Sequence, residues 1–297
     1  MPRKPLLSVS NMIYYQPHKQ PDAEYFRNCE KYWRRTVLPV NGEVPHKFIS
    51  VVTRCMDRLH DLRITLPKNL KDNADYKEAE FVVVDYGSRD GLEDWMKLEM
   101  MEYIESGRLK YYRTTEPQFF CHNHAQNVTF RVANGPLVAN VDSDNFTQPG
   151  YLARLNQCAA RADSKLLVVP ANFLLPGSKK LLLKGRFAVY RDDIERWGGF
   201  DEDLDEGFSN DDLNFVFRAM IDGCTIVRYE SSYSEYRLPT TDDQRVSLVK
   251  NKNYKKMREV NGLITWAKLA KGVVTVNRNK HWGKAKLVKN FKEMVEV

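Results

Sequence analysis

The chain contains no uninterrupted apolar run near the roughly 18 residues that a membrane-spanning helix needs. Its first residues, Met1-Pro2-Arg3-Lys4-Pro5-Leu6-Leu7, carry positive charge but are not followed by an apolar stretch of the kind that marks a cleaved leader. Both absences argue for a cytoplasmic protein that does not cross a bilayer. Cysteine is sparse: Cys29, Cys55, Cys121, Cys158 and Cys224 are scattered, odd in number and without a CxxC pair. That pattern excludes a disulfide framework and a thiolate zinc site, and leaves five reduced, structural thiols as the expectation.

What is present is a globular composition over 297 residues, 42% hydrophobic and 29% charged, enough for one large α/β domain with appendages. The net charge of +7 is unevenly placed. Residues 245–297 hold 14 Lys/Arg against 3 Glu, a surplus of 11, so the remainder is at −4. A basic end on a mildly acidic body points to a polyanionic neighbour, either an anionic membrane surface on the inner face or DNA, unless the charges form only a solvated helical face. Trp282, Ala285, Val288, Phe291 and Val295 recur at helical spacing, which predicts an amphipathic helix over 281–295.

Residues 1–46 mix aromatics, prolines and charges without a period and read as an N-terminal extension. Strand-like runs at 48–53, 81–85, 109–112 and 136–141 alternate with helical patterns at 57–70, 92–104 and 122–133. Such alternation predicts an α/β domain over 47–238, with a mostly parallel central sheet and helices on both faces, followed by a basic, mainly helical segment at 239–297. Ligands of such sheets lie beyond the carboxyl ends of the strands.

Two strand ends carry carboxylates. The fourth strand runs into Asp142-Ser143-Asp144, a pair of hard oxygen ligands suited to Mg2+ or Mn2+; the alternative for a bare Asp-x-Asp is a polar loop capping the helix that begins near Pro149. The second strand ends in Asp85-Tyr86-Gly87-Ser88-Arg89-Asp90-Gly91, a glycine turn that either brings backbone close to a ligand or simply caps a helix.

Taken in order, four segments resemble family 2 glycosyltransferases, the large inverting group with the Rossmann-like GT-A fold. Val83 to Gly91 resembles their VVDDGSxDG segment, and Asp142-Ser143-Asp144 resembles their DxD motif. Gly185 to Glu202 resembles their GxF…GGFDE stretch, and Asp211 to Arg218 their EDxEFxxR block. The resemblance covers residues 48–230. It implies a nucleotide diphosphate sugar donor, with UDP-sugar foremost, bound by Thr53, Arg54, Asp85, Ser88, Asn127, Asp142, Ser143 and Asp144. It implies Mn2+ or Mg2+ on Asp142 and Asp144, with the late His281 as a candidate third ligand. It also implies that Asp212 is the general base for a hydroxyl acceptor, with Asp211 beside it raising its proton affinity.

Three positions depart from the family pattern: Tyr86 replaces a common second Asp, Gln126 a frequent Arg, and Asp211 a usual Glu. His122 and His124 read as a polar helix cap, and Arg218 as an ion-pair partner or a phosphate ligand. The acceptor expected is a glycan or glycolipid. A hydroxylated DNA base is the alternative within the same chemistry, and a sugar nucleotidyltransferase is the alternative outside it, although Thr53-Arg54-Cys55-Met56-Asp57 lacks the Gly-rich signature expected there.

Overall fold

The computed structural model describes residues 38–170, 185–204, 208–229 and 236–297. Most of the expected N-terminal extension therefore lies outside the described residues. Strands β1 (Ile49–Cys55), β2 (Ala79–Tyr86) and β4 (Leu137–Val141) are buried along their whole length, as β-branched and apolar runs covered on both faces must be. With β3 (Leu109–Thr114) they form a parallel centre in the order β4-β1-β2-β3. On the β4 side, β6 (Arg186–Tyr190) enters antiparallel, followed by β5 (Leu166–Pro170) and β7 (Thr225–Tyr229), and beyond β3 lie β8 (Lys286–Lys289) and β9 (Glu293–Glu296), so the sheet reads β7-β5-β6-β4-β1-β2-β3-β8-β9. The expected α/β architecture is present, parallel in its core and mixed at its flanks.

Strand alternation divides the core in two. Val51, Cys55, Phe81 and Val83 face α1 (Leu59–Asp72), α2 (Leu92–Glu99), the short α3 (Met101–Glu105) and α5 (Tyr151–Ala159). Val52, Val82 and Val84 face the other layer, built from α4 (His122–Val132), α6 (Arg191–Trp197) and α7 (Asp211–Ile221). Fully burying each such aliphatic side chain contributes about 1.5–3 kcal/mol, so two unbroken layers hold the strand ends rigidly. Arg218, on α7, is buried and spends its guanidinium on Asn214 and on the carbonyls of Trp197, Gly199 and Val274; it is a structural pin rather than a phosphate ligand.

The C-terminal segment corrects the sequence reading. It has two helices, α8 (Asp242–Leu248) and α9 (Tyr254–Ala270), but the helix expected over 281–295 is a hairpin of β8 (Lys286–Lys289) and β9 (Glu293–Glu296). Burial there alternates with period two, Ala285 and Leu287 inward and Lys284 and Lys286 outward. Gly283, Asn290 and Phe291 take positive φ, which a helix cannot accommodate. The edge of β3 supplies the missing partner: Tyr112 and Arg113 pair with Lys289 and Val288, and Asn290 closes both ends of a backbone link to Tyr111. Open backbone groups on a sheet edge thus outweighed a 3.6-residue spacing. The segment extends the central sheet instead of standing apart from it. Among the described residues, no helix is long and apolar enough to cross a membrane.

Candidate active site

The carboxyl ends of β1, β2 and β4 and the N-termini of α4 and α7 meet on one side of the sheet. Arg54 follows Val52 on the face that α4 covers, whereas Thr53 points to the opposite layer and donates its hydroxyl to the Val141 carbonyl at 2.7 Å. Arg54 is buried and spans three groups: Nη1 donates to Asn140 Oδ1 at 3.0 Å and to Asp142 Oδ1 at 2.7 Å, and Nη2 lies 2.6 Å from His122 Nε2. Beyond it, His122 Nδ1 lies 3.0 Å from Asp211 Oδ2. A continuous polar chain, Asp142–Arg54–His122–Asp211, thus joins the strand-end carboxylate to the first turn of α7.

Asp142 leaves β4 beneath Gly185, where a Cβ would come within 2.2 Å of its Oδ2, and Gly185 holds φ +70°. Only glycine admits the carboxylate there. Burial disfavours the charge on Asp142, but Arg54 outweighs it and holds the carboxyl below its usual range. Asp144 goes the other way: burial and the Asp142 charge push it up, against Thr240 and Arg58. Thr240 donates to Asp144 Oδ2 at 2.9 Å and receives a 2.7 Å hydrogen bond from Arg58. The segment around Thr240 is fastened over the loop by Leu238 N to the Asp144 carbonyl, 2.8 Å, and Phe146 N to the Tyr236 carbonyl, 3.0 Å. Ser143 contributes its carbonyl, which accepts from Thr65 at 2.6 Å.

Asp211 opens α7 after Asn210, which has φ 65°. Burial opposes its charge, yet His122 and, behind it, Arg54 hold the carboxyl at about 2. It is turned to His122, so it acts as the partner of that ring rather than as a charge poised against Asp212. Asp212 follows in the same helical turn, half-buried.

Several expected ligands are committed elsewhere. Asp85 is 0% exposed. It accepts from Tyr111 Oη at 2.6 Å, from Ser88 N at 2.7 Å and from Arg113. Burial pushes its carboxyl up despite those partners. Ser88 accepts from Asp57 N, and Asp90 from Leu59 N, so the glycine turn after β2 stitches down the start of α1. Asn127 is likewise fully buried; it pins Phe200 through both backbone groups and reaches Glu202, with Gly199 and Gly283 pressed against it.

His281 is exposed, and among the described residues no group of three His, Cys, Asp or Glu converges as a metal site. The tail runs along α4, with the neighbouring Trp282 carbonyl accepting from Arg131, nine residues beyond His122 and about 13 Å along the helix axis. His281 itself, the candidate third ligand, is exposed on the segment that leads into this contact. His122 joins the site although its place at a helix start read only as a polar cap; its contact with Arg54 is set by the tertiary structure. Arg58 and Thr240 carried no signal that separated them from ordinary surface residues. Beside the start of α4 opens a cavity of about 340 Å³, lined by Phe119, Cys121, Glu202 and Lys250 among others.

The profile of Glycosyl transferase family 2 matches residues 50–175. Among solved structures, the mannosyltransferase PcManGT from Pyrobaculum calidifontis, determined with GDP-Man and Mn2+, superposes with a TM-score of 0.59 at 18% identity, over 83% of this chain and 71% of that one. TarS of S. aureus, residues 1–349, superposes at 0.51 and 16% identity, over 73% of this chain and 71% of that one. No curated protein matches the chain. The residues matched by the profile include β1, β2, β4 and the Asp142 loop, and the chain thus has a GT-A-like fold with a segment, residues 50–175, that matches the Glycosyl transferase family 2 model.

Proposed function

We propose that the protein is a metal-dependent, inverting glycosyltransferase that moves a sugar from a nucleoside diphosphate, uridine being the expected base, to a hydroxyl of a glycan or glycolipid. The observation that carries this reading is the chain of contacts from Asp142 through Arg54 and His122 to Asp211, which unites the DxD-like loop with the acidic start of α7. The family 2 segment supports the same reaction class.

Asp142 and Asp144 suit a divalent cation: both offer hard oxygens, and the upward push on Asp144 from Asp142 is like-charge repulsion that a cation relieves. Such an ion supplies Lewis-acid neutralisation of the leaving nucleoside diphosphate. Arg54, whose buried Nε has no partner among the described residues, adds a fixed cation facing the same anion. Asp212 takes the acceptor hydroxyl proton as the acceptor oxygen bonds to the anomeric carbon and the bond from that carbon to the phosphate oxygen breaks. One displacement from the face opposite the leaving group inverts the centre. The acceptor enters from the cavity beside Phe119, whose ring offers an apolar platform for a sugar face. The basic C-terminal segment suits an acceptor displayed on the inner face of an anionic membrane.

The test pairs two variants in a screen of UDP- and GDP-sugars with manganese. Asp142→Ala abolishes manganese-dependent nucleotide binding. Asp212→Asn retains binding and loses transfer by about 10²–10⁴-fold. Normal transfer by Asp212→Asn overturns the base assignment.

A further inference from the structure

The contacts around His122 fix more than proximity. A guanidinium has only N–H donors and no acceptor. Arg54 Nη2 lies 2.6 Å from His122 Nε2, so Nε2 must present its lone pair, and the ring proton must sit on Nδ1. Nδ1 is buried and lies 3.0 Å from Asp211 Oδ2, close to the carboxylate but not aligned as a hydrogen bond to it. The edge of the Phe120 ring closes one side, its centroid 5.8 Å from that of His122. The imidazole is therefore a neutral spacer with a defined direction: Nε2 accepts from the donor-site arginine, and Nδ1 faces the carboxylate beside the base at 3.0 Å.

We infer that His122 is a positioning residue, held as the Nδ1-protonated neutral ring between Arg54 and Asp211, that ties the nucleotide-binding end of β4 to the base-bearing turn of α7. Each nitrogen has its own task. Nε2, with Asn140 Oδ1, gives Arg54 acceptors other than Asp142, so the guanidinium keeps its aim when Asp142 engages the donor. Nδ1 steadies Asp211 and with it the turn that carries Asp212.

The functional half of this inference rests on the proposed transferase reading; the protonation half does not. Two near-isosteric substitutions separate the nitrogens. In His122→Asn the side-chain amide replaces the Nδ1 donor and leaves Arg54 without its acceptor. In His122→Gln the amide oxygen reaches the place of Nε2 and the Asp211 contact is lost. With UDP and GDP in the presence of manganese as probes, His122→Asn weakens binding roughly tenfold or more, the worth of a hydrogen bond to a charged group. His122→Gln keeps nucleotide affinity and lowers kcat by a similar factor without raising the donor KM. His122→Ala shows both losses. Nitrogen-15 NMR of histidine-labelled wild-type protein reads the ring directly, with Nδ1 protonated and Nε2 bare. A protonated Nε2 overturns the inference whatever the activity, and so does an equal loss of affinity and kcat in both Asn and Gln variants. If the protein transfers no sugar while the NMR shows bare Nε2, the transferase reading fails and the Arg54–His122–Asp211 arrangement stands.

Discussion

The ends of β2 and β4 look alike in sequence, each an apolar strand finishing in aspartate, yet they have different fates. Asp85 at the end of β2 is sealed from solvent and filled by Tyr111, Ser88 and Arg113. Asp142 at the end of β4 keeps 32% of its side chain exposed and shares an arginine that also serves His122. Position in the sheet separates them. β2 lies between β1 and β3, and the side chains of Tyr111 and Arg113 on β3 reach the Asp85 carboxylate from the neighbouring strand. β4 borders the antiparallel β6, where Gly185 removes the side chain that would cover Asp142. A strand-end carboxylate is available to a ligand only where its neighbours leave it open.

The sharpest way to break this contrast is to neutralise both carboxylates. Asp85→Asn leaves Arg113 and Tyr111 facing a lost charge in the interior and costs about 3–5 kcal/mol of stability by urea unfolding. Asp142→Asn costs about 1 kcal/mol, because its partner arginine keeps Asn140 and His122. Equal losses would mean that both aspartates are structural. Next in size is Gly185→Ala, which forces a Cβ onto Asp142 Oδ2 in a left-handed backbone. It lowers stability by about 1–3 kcal/mol and nucleotide affinity with it, read by thermal shift with and without UDP and manganese.

Acid sharpens the same picture at Asp211. Its folded value, about 2, lies below the ordinary 3.8, so its ionised form stabilises the fold. That contribution is fully present above about pH 4 and is lost as pH falls through about 2. Asp211→Asn should therefore flatten the acid limb of the stability profile between these limits. The smallest effect belongs to the hairpin surface. Lys286 and Glu296 stand 3.8 Å apart with side chains 62% and 70% exposed, and Lys286→Ala changes stability by no more than about 0.5 kcal/mol.

Much of the fold was legible in the sequence. The β1, β2 and β4 runs are apolar and bounded by turn residues, so local pattern and tertiary burial agree. Among the elements, the hairpin of β8 and β9 was not legible, because the partner that decides it, the edge of β3, lies more than 170 residues away in the chain. At the site, Arg54, Asp142 and Asp211 were recognisable by motif and meet in space. Asp85, Ser88 and Asn127 matched motifs equally well, and the internal hydrogen bonds each makes were not legible in the sequence. His122 lay in plain view with no sequence feature that tied it to Asp211.

The sequence by itself determined which segments become buried strands, where their polar ends fall, and that acidic groups gather at those ends, because periodicity and burial are local properties of the chain. Which of those carboxylates stays open, which arginine each one meets, and how a histidine comes to join two distant motifs were decided only by the tertiary structure. Hydrogen bonds and charge pairing act over a few ångströms, and that distance is set by how β1, β4, α4 and α7 are stacked rather than by their separation along the chain.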